Sequence, residues 1–342
     1  MKKTIKRIAE FTERAGRQLL VALHEVTEGK PFIEIILDEY KNIYPPLAKS
    51  IYLTVCALNR FKIPVRAGLI SRVYNVPFTE FKKKFFNSLD HIVRTDENNL
   101  VGDFVYSARH SEIASMVFEQ ALQTTGEKFD EYIRILGGLN LAYSTDLQAF
   151  RKLIHGRALL NNFPDHSLVV EIFKSANIIQ PNDAYVLQQH GIYEMNRPSG
   201  NLDLAYKHLK EAQLLNDKDL TILHSLAELS YIRSEKADNL PEKERFRRDA
   251  MDAIKKLLED KDSRKYARHT LIKIEMRRLE EDLETDAPEE IGVQKAVEGL
   301  EELFNKGLTE DPEDSLLLIT ESKFQERIEN KAKSLITLKK TF

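Results

Sequence analysis

The segment AYVLQQHGIYEMNRPSGNLDLAYKHLKEAQLL, residues 184–215, has the pattern of two helices joined by a short loop. Pro198 and Gly200 interrupt the helical pattern between its two halves. The second half carries Ala205, Leu209 and Ala212 at spacings of four and three residues. Small residues let two helices approach closely, and a large apolar residue fills the groove between them. The segment therefore predicts a tightly packed helical hairpin.

The same pattern recurs on both sides of this segment. It appears upstream at Val169, Phe173 and Ala176, before Pro181, and downstream at Ala250, Ile254 and Leu257, after a charged insertion at 234–248. First helices begin near Ala184 and Leu220, and a unit of about 34 residues is typical of tetratricopeptide repeats. Weaker pairs follow at 265–283 and 293–304, with a last helix from Asp311. We predict an α-solenoid of tetratricopeptide-like helical hairpins over residues 126–342; an irregular α-helical domain is the alternative.

The first third of the chain has a different organisation. Helical apolar spacing at 5–26 and 32–40 predicts a helical arm, residues 1–46. Residues 47–125 contain predicted helices at 48–61, 66–74 and 79–89, then predicted strands at 91–94 and 100–107 around a polar turn at 96–99. A helix at 111–122 follows, with Ser111 as its expected N-cap, and the domain boundary is placed at 124–126. This order predicts a winged-helix-like domain, and the whole chain is expected to be mostly α.

Composition restricts the class of protein. The chain has 342 residues and a net charge of −3, with 18 Lys/Arg against 14 Asp/Glu in residues 1–125 and 33 against 40 in residues 126–342. This asymmetry indicates two functionally different parts. The single cysteine, Cys56, excludes an internal disulfide and a cysteine-based zinc site, and we expect it to be buried. With no apolar run of membrane-spanning length and no secretory signal, we expect a cytoplasmic protein without a membrane partner.

Motifs for chemistry are missing from the sequence. It contains no G-x-x-x-x-G-K-[ST] loop, no G-x-G-x-x-G turn and no H-E-x-x-H pair. Gly137 and Gly138 lie inside a predicted helix, where they indicate close packing or a kink. We therefore predict a non-catalytic protein with no cofactor and no metal site. Lysines 82–84 lie on the third predicted helix, but four phenylalanines share it and the predicted wing is acidic, so we expect no nucleic-acid partner.

Three stretches carry a resemblance to a known family: GRQLLVALHEVTEGKPF (16–32), IYLTVCALNRFKIPVRAGLISRV (51–73) and FVYSARHSEIASMVFEQAL (104–122). They resemble the region that follows the ATPase core in bacterial STAND NTPases of the antiviral type. The resemblance implies a winged helix, a tetratricopeptide-like sensor and a role in signal transduction or antiviral defence. It also implies that His110, beside Arg109, contacts nucleotide phosphates when a P-loop ATPase domain is present in cis or in trans. This chain departs from the family in having no Walker motif.

In tetratricopeptide arrays, positions 2, 5, 9 and 12 of each first helix line the concave face. Counting from Ala184 and Leu220, these positions are Tyr185, Gln188, Ile192, Met195, Thr221, His224, Glu228 and Tyr231. The two tyrosines combine broad contact area with a hydrogen-bonding tip, as residues at binding hot spots often do. We therefore predict a regulatory or sensor module that binds another protein through this face. The alternative hypothesis is a winged-helix transcriptional regulator with a peptide-sensing repeat domain; a third is a scaffold without a switching role.

Overall fold

The computed structural model describes residues 32–77, 80, 89, 92–98, 103–285 and 289–326. These residues form fifteen helices and three short strands, so the prediction of a mostly α fold is confirmed. The chain divides into two compact units, residues 1–181 and 182–342. The predicted helix at 5–26 and nearly all of the predicted helix at 79–89 lie outside the described residues. The boundary predicted at 124–126 falls inside the first unit, where Thr125 and Gly126 begin a helix, and the predicted three-domain division stays a prediction.

The first unit contains eight described helices and a small sheet. In chain order they are α1 (Phe32–Lys41), α2 (Pro46–Asn59), β1 (Val65–Arg66), α3 (Ala67–Tyr74), β2 (Val93–Asn98), β3 (Asp103–Ala108), α4 (Ser111–Ala121), α5 (Thr125–Gly138), α6 (Ser144–Leu153), α7 (Gly156–Asn162) and α8 (His166–Ile179). The strand order is β1-β3-β2, and both pairings are antiparallel. The two-residue strand β1 was not predicted, because so short a segment leaves no alternating pattern.

The hairpin between β2 and β3 differs from the prediction. The polar residues from Asp96 onward were assigned to a turn, but β2 continues through Asn98. Asp96 pairs with Val105 in the register of the two strands, and its side chain is exposed. A polar side chain on the solvent side of a strand leaves the backbone pairing intact, so a run of polar residues is not by itself a turn.

Helix α2 is the centre of the first unit. It packs against β1, β3, α4 and α5, and ten of its fourteen residues are buried. Cys56 is fully buried there, as expected. The Oγ1 of Thr54 donates to Oε1 of Glu131 on α5 over 2.7 Å, which fixes a polar contact inside this interface. Gly138 at the end of α5 lies against Val73 of α3 with no room for a Cβ, so close packing is the reason for this glycine.

The second unit consists of seven described helices. They are α9 (Ala184–Asn196), α10 (Leu202–Leu215), α11 (Leu220–Glu235), α12 (Leu240–Glu259), α13 (Arg264–Glu284), α14 (Glu290–Glu310) and α15 (Ser315–Phe324). Each helix packs against the next in the chain, and α9 also contacts α11, which in turn contacts α13. We call α9, α11, α13 and α15 the first helices, and α10, α12 and α14 the second helices.

The second helices bury the apolar positions that the sequence pattern identified. Ala205, Leu209 and Ala212 on α10, and Ala250, Ile254 and Leu257 on α12, are all fully buried. Their spacing of four and three residues places each set on one side of its helix. The apolar positions of α14 continue this arrangement around Phe304, which packs with Leu317 and Phe324 of α15.

The charged insertion at 234–248 lengthens two helices. It includes the end of α11 and the first half of α12. Arg247 is buried there and forms ion pairs with Glu235, Glu244 and Glu281, at 3.3, 3.2 and 2.8 Å. This network joins α11, α12 and α13 where their ends extend beyond the apolar clusters.

Candidate partner-binding face

A row of polar side chains connects neighbouring first helices. The Nε2 of Gln188 on α9 donates to Oγ1 of Thr221, 3.0 Å away, and to Oγ of Ser225, 3.2 Å away, both on α11. These hydroxyls donate in turn to the side chain of Asp219 and to the carbonyl of Thr221, so each has its accepting lone pair free for Gln188. Gln188 is 4% exposed, and this pairing satisfies its buried amide.

The next connection runs from α11 to α13. The Nε2 of His224 lies 3.1 Å from Oγ1 of Thr270. Because the Thr270 hydroxyl donates to the carbonyl of Tyr266, we assign His224 as the donor in this contact, with its proton on Nε2. The His224 ring also lies beside the Tyr266 ring, with centroids 6.0 Å apart.

A third connection runs from α13 to α15. The Nε2 of His269 lies 2.9 Å from Oδ2 of Asp314, and both side chains are buried. Burial opposes ionisation of this carboxyl group, but the hydrogen bonds from His269 and from the Leu317 N–H hold the pKa of Asp314 below its ordinary value. The Asp314 side chain also caps the first turn of α15. A single carboxylate thus fixes the start of this helix against α13.

These connections occupy corresponding places on successive helices. Gln188 and His224 are the fifth residues of α9 and α11, and His269 is the sixth residue of α13. The partners are Thr221, the second residue of α11, Thr270, the seventh residue of α13, and Asp314, the N-cap of α15. These connections therefore hold the N-terminal parts of successive first helices side by side.

Of the eight residues predicted to line the concave face, two are buried. The side-chain amide of Gln188 is already hydrogen-bonded to α11. Met195, 4% exposed, belongs to the apolar cluster that joins α9 to α10 and α11, including Leu209 and Leu226. Ile192 is half-buried against the same cluster. Gln188 and Met195 therefore stabilise the unit, and neither presents a surface to a partner.

The other five predicted residues have at least part of their side chains accessible. Thr221 is exposed, whereas Tyr185, His224, Glu228 and Tyr231 are half-buried. Tyr231 packs against the cluster that contains Ala227 and Ala250. Burial, assisted by the nearby Glu235 carboxylate, raises the pKa of Tyr231 to about 12. Tyr231 therefore combines a structural contact with a partly accessible side chain.

His110 and Arg109 precede α4. The His110 side chain is exposed, and its Nδ1 accepts the backbone N–H of Glu112 over 3.2 Å, so His110 is the N-cap of the helix. The prediction that Ser111 caps α4 is wrong by one residue, because an imidazole nitrogen accepts this N–H in its place. Arg109 forms an ion pair with Glu39 on α1. The pair Arg109 and His110 thus links the hairpin to two helices.

Sequence reasoning missed the most exposed apolar side chains among the first helices. Tyr266 on α13 and Leu316 and Ile319 on α15 have exposed fractions of 62%, 52% and 53%. The repeat pattern predicts partner-facing positions only as far as α11, since it becomes degenerate beyond Leu257. Extension of the helical period into α13 and α15 would have identified these three exposed side chains.

The described residues contain no group of three or more His, Cys, Asp or Glu side chains that could hold a metal ion. Within the same ranges, no helix has both the length and the apolar character needed to cross a membrane. No protein-family model, curated protein or solved structure matches this chain. The proposals below therefore depend on the sequence and on the contacts described above.

Proposed function

We propose that this chain is a non-catalytic regulatory or sensor module that binds another protein through the face formed by its first helices. The observation that supports this most is the row of connections from Gln188, His224 and His269. It holds successive first helices side by side, as expected of a tetratricopeptide-like array. Such an array presents an extended surface made of several helices, which suits recognition of another protein.

The composition of this surface supports a protein partner. Exposed apolar and aromatic side chains on α13 and α15 lie beside polar and half-buried groups on α11. Surfaces that bind proteins are enriched in aromatic side chains within a polar surround. We propose that the half-buried Tyr185 and Tyr231 and the exposed Thr221 contribute at the α9 and α11 end.

The first unit supports a switching role for the module. The helices α2 and α3, the strand order β1-β3-β2 and the following α4 are compatible with the proposed winged-helix-like domain. His110, at the start of α4, is exposed and can reach a ligand. We propose that the chain acts in the cytoplasm with a P-loop ATPase domain, in cis or in trans, in a STAND-type signalling or antiviral system. His110 and Arg109 would then approach the nucleotide phosphates.

Capture experiments with two exposed tyrosines test the proposed binding face. Tyr266 lies on a first helix, and Tyr206, 41% exposed, lies on the second helix α10. We expect Tyr266→Ala, combined with Thr221→Lys, to abolish capture of the protein that the full chain retains from its native cells. Tyr206→Ala should leave capture unchanged, and all variants should keep the wild-type circular dichroism. The variant with Thr221→Lys should melt at a lower temperature than the wild type, because it removes a hydroxyl that accepts from the buried Gln188 amide. Equal capture by all variants would contradict binding through the first helices.

A further inference from the structure

A cleft lies between the last two described helices, α14 and α15. It has a volume of about 190 Å³, and the same three kinds of residue line it on both helices. Each helix contributes a glutamate, a phenylalanine three residues later and a carboxamide four residues later, and residues at these spacings lie on one side of a helix. We call this feature the α14–α15 cleft and define it by Glu301, Phe304, Asn305, Glu321, Phe324 and Gln325.

The cleft has an aromatic base and polar walls. Phe304 and Phe324 are each 1% exposed, and their ring centroids lie 5.5 Å apart, whereas the glutamates and carboxamides are more accessible. Small-molecule sites usually measure about 300–1,000 Å³, so a cleft of this size suits one long side chain. The stem of a lysine or arginine packs on an apolar base while its charged end pairs with a carboxylate.

The helices around the cleft are acidic. Residues 289–326 contain eleven Asp/Glu and three lysines, a net charge of −8. Two of these lysines, Lys306 and Lys323, are exposed next to cleft residues in the sequence, but neither lines the cleft. Three of the carboxylates pair with side chains of α13, namely Glu310, Asp311 and Asp314. The balance of the other charges is still acidic, so the electrostatics of the cleft favour a basic occupant.

A basic segment follows directly after the cleft in the chain. Residues 327–342 contain five Lys/Arg, one Glu and five large apolar residues. Gln325 lines the cleft, and consecutive Cα atoms are about 3.8 Å apart, so the Cα of Arg327 lies within about 8 Å of the Cα of Gln325. Chain connectivity thus brings the beginning of the basic segment to the acidic cleft.

We propose that residues 327–342 bind in the α14–α15 cleft of the same chain. A basic side chain of the segment packs its stem on the two phenylalanines and pairs with Glu301 and Glu321. Bound there, the segment covers the last apolar cluster of the second unit, which includes both Phe304 and Phe324. This intrachain site does not depend on the partner that the first helices bind.

Attachment distinguishes this occupant from two others of the same chemistry. A second copy of the chain has the same basic segment, and another protein can carry a similar one. A segment joined to the site by a short connection has an effective concentration of about millimolar, so modest attractions are sufficient. The two other occupants lose translational and rotational freedom on binding, which the attached segment has already lost. Attachment therefore favours the chain's own segment.

Photocrosslinking in the full chain tests the proposal. A photoreactive phenylalanine analogue at Asn305, an exposed residue of the cleft, should crosslink to residues 327–342, as measured by mass spectrometry of the digested chain. An equal mixture of ordinary and isotope-labelled chains separates two sources of this crosslink. Binding within one chain predicts crosslinked peptides that carry the same label, whereas binding of a second copy predicts that half of them carry mixed labels.

Charge reversal tests the pairing with the glutamates. Glu301→Lys with Glu321→Lys should lower the crosslink yield by about tenfold, because two attractions become two repulsions. Reversal of Lys331 and Lys333 to Glu in the same chain should restore at least about half of the yield, which a loss of structure would not allow.

The matched control is Asp217→Lys with Glu259→Lys. It makes the same change of net charge as the cleft reversal, at exposed positions in the loop after α10 and at the end of α12. This control should change the crosslink yield less than about twofold. Glu321→Gln, which keeps the shape of the side chain, is a milder test and should lower the yield by about twofold to fivefold.

Three results would overturn the proposal: no crosslink to residues 327–342, crosslinks with mixed labels, or equal yields for the cleft reversal and its control. Circular dichroism should show the wild-type helical content for every variant. If the double reversal loses helical content, Glu321→Gln decides, and an unchanged yield for that variant would contradict the pairing.

Discussion

At the scale of single residues, the second unit depends on buried polar side chains with specific partners. A net contribution of about 1 kcal/mol is typical of one such hydrogen bond, but loss of one partner leaves a buried group unsatisfied and costs more. Gln188 illustrates this, because two hydroxyl groups satisfy its amide at a buried position. Its position in the array is therefore structural, although the same repeat position can bind partners elsewhere.

His208 on α10 lacks such partners. Its ring stacks on that of His190 with centroids 4.3 Å apart, and neither of its ring nitrogens has a hydrogen-bond partner within the described part of the chain. Burial lowers the pKa of His208, although the Glu211 and Glu194 carboxylates oppose this. The folded state therefore binds protons to this side chain less readily than the unfolded chain does.

We predict that the free energy of unfolding falls as the pH decreases below about 6.5, the ordinary pKa of histidine. As the pH falls, the unfolded chain binds a proton at this histidine before the folded chain does. The stability present above this pH is therefore lost as the pH falls towards the lower pKa of folded His208. A single group changes the slope by at most about 1.4 kcal/mol per pH unit. Urea unfolding between pH 7.5 and 5.0 should show a smaller slope for His208→Phe, which keeps an aromatic ring.

The control for this measurement is His110→Asn. His110 is exposed, and asparagine also caps helices well. A change of slope seen in His208→Phe and absent from His110→Asn is then specific to His208. Identical slopes for His208→Phe and the wild type would show that His208 does not contribute to the pH dependence.

At the scale of helices, the α9–α10 hairpin depends on a close approach at Gly191. A Cβ added there would lie 2.8 Å from Cγ of Leu209 and 3.1 Å from the carbonyl oxygen of Ala205. The contact is tighter than side chains tolerate, and the backbone of α10 cannot move away without loss of packing. The glycine is therefore required by the approach of the two helices.

We predict that Gly191→Ala lowers the free energy of unfolding by about 1–3 kcal/mol, the usual cost of overpacking a core. Gly299→Ala is the matched control, because Gly299 is an exposed helical glycine on α14 with nothing within 4 Å of an added Cβ. That variant should gain stability by about 0.5–1 kcal/mol from its higher helix propensity. Chemical denaturation of both variants measures the difference, and a stabilising Gly191→Ala would contradict the close approach.

The helices that could be predicted from the sequence are those with one buried side. Ala205, Leu209 and Ala212 share a helical period because one side of α10 is covered, and burial leaves this direct trace in the sequence. The residues on the exposed side of a helix show no such periodic pattern. Met195 was therefore assigned to the partner surface by counting, although neighbouring α11 covers it with Ile222 and Leu226. His110 was missed as an N-cap because serine is the commoner capping residue.

At the scale of the whole molecule, part of the organisation into two units could be predicted from the sequence. The acidic balance of residues 126–342 and the helical period were visible, so the mostly α fold and the paired helices of the second unit could be predicted. The neighbouring placement of α13 and α15 could not, because it depends on long-range pairs such as His269 with Asp314. Such pairs depend on tertiary contacts that no short sequence window contains.

The measurement that tests the central proposal most directly is site-specific photocrosslinking in native cells. A photoreactive phenylalanine analogue is placed, one position at a time, at Thr221 and Tyr266 on first helices. It is placed in the same way at Tyr206 and Leu215 on the second helix α10. All four side chains are exposed. Binding through the first helices predicts that Thr221 and Tyr266 crosslink to one common protein, whereas Tyr206 and Leu215 do not. Crosslinks to that protein from the α10 positions alone would contradict the proposed function.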